Sequence, residues 1–439
     1  MENVKCRESK GETSISTVEE LKEKLINLRE HESIKVSEEL RKFLIENFEF
    51  KEPGYDNISE VKNLGLYLKY EGNTLTLCAY YFIGVWWFRE KDIYIRVEPK
   101  DNEGKFADPI RMLDEIMKDQ DIVSNKEFQN VFRIEDNTSP ISFESGDTTF
   151  MLFLIVKYLN VLERLVRKGL KRGYLFAEED LNGRVKGKIN LKRTYQKHIS
   201  RGVYIKTHCK FQVFTEDFLD NQILKSALFQ ASKYVRNLEF QSFTLMNLLS
   251  YLSSVFEKVS LRPISDIDFV KVKHSPFFPE YKEAIELSRM ILKYLGYDPF
   301  ANIQEVKEVP PYIINMPKLF ELYVCKKLKE LCPNSEILYQ YSSGSDTPDF
   351  LIKGRGIIID AKYKYRYDSK SLPEDIGQLA RYGRNEKIRK GINAKEEPVL
   401  TIAYPVFDKN REGIEPINDY CRFYKLAIAI PYREYQVKE

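Results

Sequence analysis

The chain is poor in the residues that build small metal modules, with four histidines and six cysteines among 439 residues. Cys6, Cys78, Cys209, Cys325, Cys332 and Cys421 are scattered without a C-x-x-C pair, and His31, His198, His208 and His274 lack ligand spacing. A Cys/His zinc module is excluded on that ground. Long apolar runs are missing too. The most apolar stretch, residues 77–88, contains Gly84 and falls well short of the ~20 residues a spanning helix needs. The N-terminal residues are polar and lack a signal-peptide core. The expectation is a soluble, cytoplasmic protein with no membrane partner. Nor is there an excess of charge: 69 Lys+Arg against 66 Asp+Glu leaves +3. That excludes a uniformly basic, nucleic-acid-coating protein but allows a local basic channel. A nucleotide-binding loop is absent as well. Between Gly183 and Gly187 there are three residues where the phosphate loop has four, and no Ser or Thr follows Lys188. Any nucleotide chemistry must come from another chain.

What is present is a globular composition, 43% hydrophobic and 31% charged, long enough for roughly three domains at ~150 residues each. The charge is segregated. Residues 1–60 carry a net −5, residues 162–210 a net +10, and residues 351–395 a net +7. Apolar residues at helical spacing predict a helical start over 17–47, with Leu21, Leu25, Leu28, Leu40, Phe43 and Leu44 on the stripe. Short aromatic and aliphatic runs at 65–70, 74–85 and 92–97 read as strands, followed by a helix over 109–117. The polar stretch 134–148 is a domain boundary on this reading. Helices are expected from there to residue 169, with Asp147 as cap, and at 216–236, 244–259 and 279–295. The prolines at 310 and 311 break the chain again. The order thereafter is helix 317–331, strand, hairpin 349–363, helix 375–383, strand 399–404 and strand 426–430. The expected fold is multidomain α+β: an N-terminal, partner-binding β-rich domain (1–145), a helical middle domain (146–310) and a C-terminal α/β domain (311–439).

The most informative stretch runs from Pro348-Asp349 through Gly354 and Gly356 to Ile357-Ile358-Ile359-Asp360-Ala361-Lys362. Two apolar strands flanking a glycine-bearing turn make a hairpin. Asp360 and Lys362, two apart, share one face, and Asp349 enters the paired strand where it can lie beside Asp360. Two convergent carboxylates suit a hard cation such as Mg²⁺, and a nearby ammonium suits metal-assisted phosphodiester hydrolysis. An edge strand with solvated charges is the plain alternative.

These residues resemble the PD-(D/E)xK nuclease motif. The resemblance implies a restriction-endonuclease-like fold in which Asp349 and Asp360, assisted by Glu321 on the preceding helix, hold Mg²⁺ and Lys362 positions the attacking water. Gln378 and Tyr382, four apart on one helix face, look like the Q-x-x-x-Y element of the RecB-like members. A narrower resemblance covers the chain from about residue 60 onward. Asn315-Met316-Pro317-Lys318-Leu319-Phe320-Glu321, Asp360-Ala361-Lys362-Tyr363-Lys364, Phe214-Thr215-Glu216-Asp217 and Asn221-Gln222-Ile223-Leu224-Lys225 look like the McrC family, nuclease subunits of McrBC modification-dependent restriction systems; Gly84 and Val97-Glu98-Pro99-Lys100 also fit. That resemblance implies a partner, an McrB-like AAA+ GTPase hexamer that binds the GTP and whose hydrolysis this chain stimulates. It further implies double-stranded DNA carrying modified cytosine as substrate, and pairing of copies through the nuclease domain. Arg381, Arg384 and Lys387 then face DNA. Arg184, Lys186, Lys188 and Arg193, with Lys192 and Tyr195, meet DNA or the partner ring, or form a solvated face. Two other readings stay open: a stand-alone PD-(D/E)xK repair nuclease, and a non-cutting regulatory subunit of an AAA+ ring.

Overall fold

A computed structural model of the chain describes residues 25–35, 59–60, 66–71, 74–88, 93–134, 141–142, 148–238, 242–272, 279–301, 308–344, 346–365, 372–392, 397–417 and 420–434. The protein is mixed α+β with several sheets. It divides into two compact units, residues 1–153 with 307–439 and residues 154–306. The N-terminal and C-terminal segments, separate in the sequence reading, thus fall in one unit.

In the first unit, a five-stranded sheet has the order Leu25–Arg29, Ile93–Glu98, Phe82–Phe88, Tyr312–Asn315, Phe132–Ile134. The strands expected at 65–70, 74–85 and 92–97 are present as Leu66–Glu71, Thr74–Ala79, Phe82–Phe88 and Ile93–Glu98. The expected helix over 17–47 is contradicted where it can be seen. Residues 25–29 and 33–35 are strands, the first pairing in parallel with 94–98. Leu28 and Glu30 are buried two apart, the period of a strand, and His31 at φ 66 turns the chain between the two. The rest of that prediction, and Asp147, lie outside the described residues. The helix Pro109–Met117 forms as expected. Asp108 caps it by accepting from the Ile110 and Arg111 amides, and Pro109 stands where no amide donor is required.

The C-terminal part of this unit centres on a six-stranded sheet. Its order is Ile337–Tyr339, Phe350–Ile352, Ile357–Ala361, Val399–Val406, Phe423–Ala429, Gly413–Pro416. The first three strands are antiparallel, and the middle three run parallel. The parallel pair is joined through the helix Leu372–Arg384, whose Ile376, Leu379 and Tyr382 bury against Leu351, Ile358, Leu400 and Ile402. Gly354 at φ 76 and Gly356 at φ 64 take the left-handed backbone that lets four residues reverse the chain between the two apolar strands. Asn315 caps the helix Met316–Leu331 through the Lys318 amide.

The second unit contains the expected helices, observed as Leu219–Arg236, Phe243–Val255 and Glu280–Leu295. Asn221, in the middle motif, is fully buried and structural: its amide donates to the Lys171 and Glu216 carbonyls and its oxygen accepts from the Tyr281 hydroxyl. The basic segment departs from the helical expectation. Gly173–Asn182 and Lys206–Thr215 pair over ten residues as an antiparallel ribbon, with Lys188–Ile189 added and the helix Leu191–Lys197 at its tip. Leu181, Cys209 and Phe211 bury on one side of it. His208 Nδ1 on the ribbon and His198 Nε2 at the end of that helix lie 2.5 and 3.0 Å from Asp180 Oδ1.

Gly84 has φ +143, and a Cβ there would sit 2.1 Å from the Tyr312 carbonyl oxygen of the neighbouring strand. Backbone on both sides leaves nothing to yield. Gly84→Ala is expected to destabilise the protein by about 2 kcal/mol or more, read as a lower urea midpoint; an unchanged midpoint would mean the strands separate at no cost.

Candidate active site

The hairpin register places Phe350 opposite Ile359, so the next step outward sets Asp349 across from Asp360 at its open end. Asp349 is held on both sides. Its Oδ2 accepts from the Ala361 amide at 2.7 Å, and its carbonyl accepts from the Gln340 amide at 2.7 Å. Asp360 is 2% exposed. Lys362 Nζ lies 2.7 Å from Asp360 Oδ2 and donates to Gln378 Oε1 at 2.9 Å; Gln378 Nε2 lies 2.6 Å from the Tyr382 hydroxyl. Asp360, Lys362, Gln378 and Tyr382 therefore form one connected chain of polar groups.

Charge is crowded here. Burial raises the Asp349 carboxyl well above its ordinary range, and the nearby Asp360 and Glu321 carboxylates push it further. Burial alone would lower the Lys362 ammonium, but Asp360, Asp375 and Asp349 outweigh it and hold the group above its ordinary value. Glu321 faces the same region from its helix. One of its oxygens accepts from Gln340 Nε2 at 2.8 Å, and the other pairs with Lys318 Nζ at 2.9 Å. Among the described residues no three His, Cys, Asp or Glu side chains converge as a set that could hold a metal ion. The two carboxylates at the open end of the hairpin are Asp349 and Asp360.

Two neighbours escape a sequence reading. Gln340, at φ 50, links Asp349 to Glu321, and nothing in the sequence marks it. Asp375 is 2% exposed and takes Lys364 Nζ at 3.1 Å with Lys362 Nζ at 3.9 Å. Its spacing from Gln378 and Tyr382, three and seven residues, would have put it on their helix face.

The basic residues differ in their freedom. Arg381 is exposed but its Nε is bound to Asp346 at 2.8 Å, while Arg384 and Lys387 are exposed beyond it. On the ribbon, Arg184 and Lys188 are exposed, Lys186 Nζ lies 4.2 Å from the centre of the Phe211 ring, and Arg193 pairs with Glu178.

Fold and site together define a mixed α+β protein with a buried carboxylate–lysine centre on a hairpin. A family model described as McrBC 5-methylcytosine restriction system component matches residues 82–391, most of the chain. The chain belongs to that family. Two solved structures from Thermococcus gammatolerans are similar to it. One is a refined half-complex from a tetradecameric assembly of McrB AAA+ hexamers with bound McrC, at 15% identity and a TM-score of 0.36, covering 92% of this chain and 94% of that one. The other, a cryo-EM structure of the McrBC complex, matches at 16% identity and a TM-score of 0.32, over 70% of this chain and 87% of that one. No curated protein matches. Among the described residues no helix is long and apolar enough to cross a membrane.

Behind the hairpin lies a second buried carboxyl. Glu30 is 1% exposed and accepts from the Lys100 amide at 3.0 Å. Burial pushes it up to about 8, an effect that Lys100 and the Tyr363 hydroxyl offset only in part. Tyr363, next to Lys362, also packs on Phe320 of the Glu321 helix. Unfolded, Glu30 ionises near its ordinary 4.5, so between that pH and about 8 the folded chain holds a proton that the unfolded chain has lost. Its contribution to stability is full below about pH 4.5 and is lost as pH rises through about 8. Glu30→Gln is therefore expected to raise the melting temperature at about pH 9 more than at about pH 5. Equal changes at both would show that Glu30 is not held protonated.

Proposed function

We propose that this restriction-system component is its DNA-cutting subunit, hydrolysing phosphodiesters with Mg²⁺ in a restriction-endonuclease-like C-terminal domain and working with an McrB-like GTPase ring. The observation that carries the reading is the convergence of Asp349, Asp360, Lys362, Gln378 and Tyr382 on one hairpin and one helix, with Asp360 and Tyr382 buried and the other three half-buried. Asp349, raised by burial and by the nearby Asp360 and Glu321 carboxylates, favours a cation beside it. Asp349 and Asp360 are oxygen donors of the kind Mg²⁺ takes, and an ion held by two carboxylates keeps the rest of its shell for water and phosphate. Such an ion would neutralise charge on the phosphate and lower the pKa of bound water. Glu321, held by Lys318 and Gln340, adds negative potential from the preceding helix.

The carboxylates around Lys362 hold its ammonium above its ordinary value and so favour the protonated form. It can orient the attacking water or carry charge developing on the phosphate. Gln378 fixes Lys362 from the helix side, and Tyr382 fixes Gln378. The exposed Arg384 and Lys387, with Arg381, offer phosphate contacts beyond that helix. The ribbon, with Arg184, Lys186 and Lys188 exposed at one end, is the surface offered to the partner ring or to DNA. GTP belongs to that partner, since this chain has no phosphate-binding loop.

Co-purification with an McrB-like GTPase, a rise in GTP turnover and cutting of 5-methylcytosine DNA with GTP and Mg²⁺ are the expected results. Nucleotide-independent cutting by the chain alone would favour a stand-alone nuclease, and GTPase stimulation without cutting a regulatory subunit. Asp360→Ala is expected to abolish cutting and Lys362→Ala to slow it by about 100-fold or more, with association and GTPase stimulation intact. Undiminished cutting by both variants would remove the proposed site.

A further inference from the structure

We infer that Asp375 is a positioning residue that holds the Lys362 ammonium in place, an inference that rests on the reaction proposed above. Asp375 stands in the first turn of the helix Leu372–Arg384 and is 2% exposed. A carboxylate so placed is costly unless it is paired. Its partners are two lysines from the far end of the hairpin strand: Lys364 Nζ at 3.1 and 3.4 Å from its two oxygens, and Lys362 Nζ at 3.9 Å from Oδ1.

Lys362 therefore has three neighbours that fix its charged end: Asp360 at 2.7 Å, Gln378 at 2.9 Å and Asp375 at 3.9 Å. Asp360 is also a proposed cation ligand, so its carboxylate cannot be relied on to anchor the lysine as well. Gln378 is neutral. Asp375 is the remaining full negative charge, and it lies on the same helix face as Gln378, so one rigid element supplies both anchors. Lys364 Nζ lies nearest Oδ2, at 3.1 Å, and Oδ1 lies within 4 Å of both lysines.

Asp375→Asn and Lys364→Gln, compared in the full complex and in the free chain, separate this role from a structural one. With Asp375→Asn, cutting is expected to fall about 10- to 100-fold while the DNA KM and the Mg²⁺ requirement hold. In the metal-free chain, labelling of Lys362 by an amine-reactive acetyl ester, followed by mass spectrometry, is expected to speed up. Asp375→Glu is expected to restore both readouts in part, and Lys364→Gln to leave both near wild type. Equal losses in Asp375→Asn and Lys364→Gln would overturn the inference, because Asp375 would then serve only its pair with Lys364. So would unchanged labelling of Lys362, or a failure of Asp375→Asn to fold. If Asp360→Ala and Lys362→Ala leave cutting intact, the proposed reaction falls, while the labelling still reports whether Asp375 holds Lys362.

Discussion

An ammonium group placed among three carboxylates, largely out of water, is stable only if the geometry around it is fixed. Lys362 meets Asp360 at 2.7 Å in a part of the sheet where Asp360 is almost wholly buried. Removing either member would leave an uncompensated charge, which is far more costly than the net worth of the pair. The surrounding architecture supplies that fixity. The hairpin turn sets the register that brings Asp349 against the Ala361 amide, and the crossover helix brings Gln378 and Asp375 to the lysine. A change in hairpin register by one residue would send Asp360 and Lys362 to the opposite face.

The same strand is also tied to the N-terminal segment. Tyr363 follows Lys362 and approaches Glu30, the residue just after the first strand, and it packs near Tyr81 as well as Phe320. His31 beside it is lowered by burial, and by Lys100, to about 3, and its ring lies edge-on to Tyr81. An uncharged, aromatic interior thus backs the charged site, and that low-dielectric backing strengthens every electrostatic contact in front of it.

Much of the hairpin and the helices was legible because local signals agreed with one another. Gly354 and Gly356 mark the turn, three isoleucines mark the strand, and Asp108-Pro109 and Asn315 mark helix starts. The strand at 25–29 was not legible: over so short a run Leu25 and Leu28 fit a helix as readily as Ile26 and Leu28 fit a strand, and the deciding partner lies at residues 94–98. The ribbon at 173–215 hid for a different reason. Tyr174, Phe176 and Phe214 are exposed on it and charges interrupt its faces, so no apolar alternation announces two strands. Asp375 reads in sequence as an acid favoured by a helix N-terminus, and only its burial against Lys362 and Lys364 shows otherwise.

The strand Tyr312–Asn315 lies inside the N-terminal sheet, between Phe82–Phe88 and Phe132–Ile134. Among the described residues, 132–134 are hydrogen-bonded in that sheet through this strand alone. During synthesis, then, the sheet cannot close until the ribosome has passed residue 315, with all of the second unit already made. Until that point Ile83 and Val85 present an unpaired edge, the kind of surface on which nascent chains stick to one another. Such long-range closure slows folding, and it means that a chain cut at the Pro310–Pro311 break loses not only the hairpin but an inner strand of its first sheet.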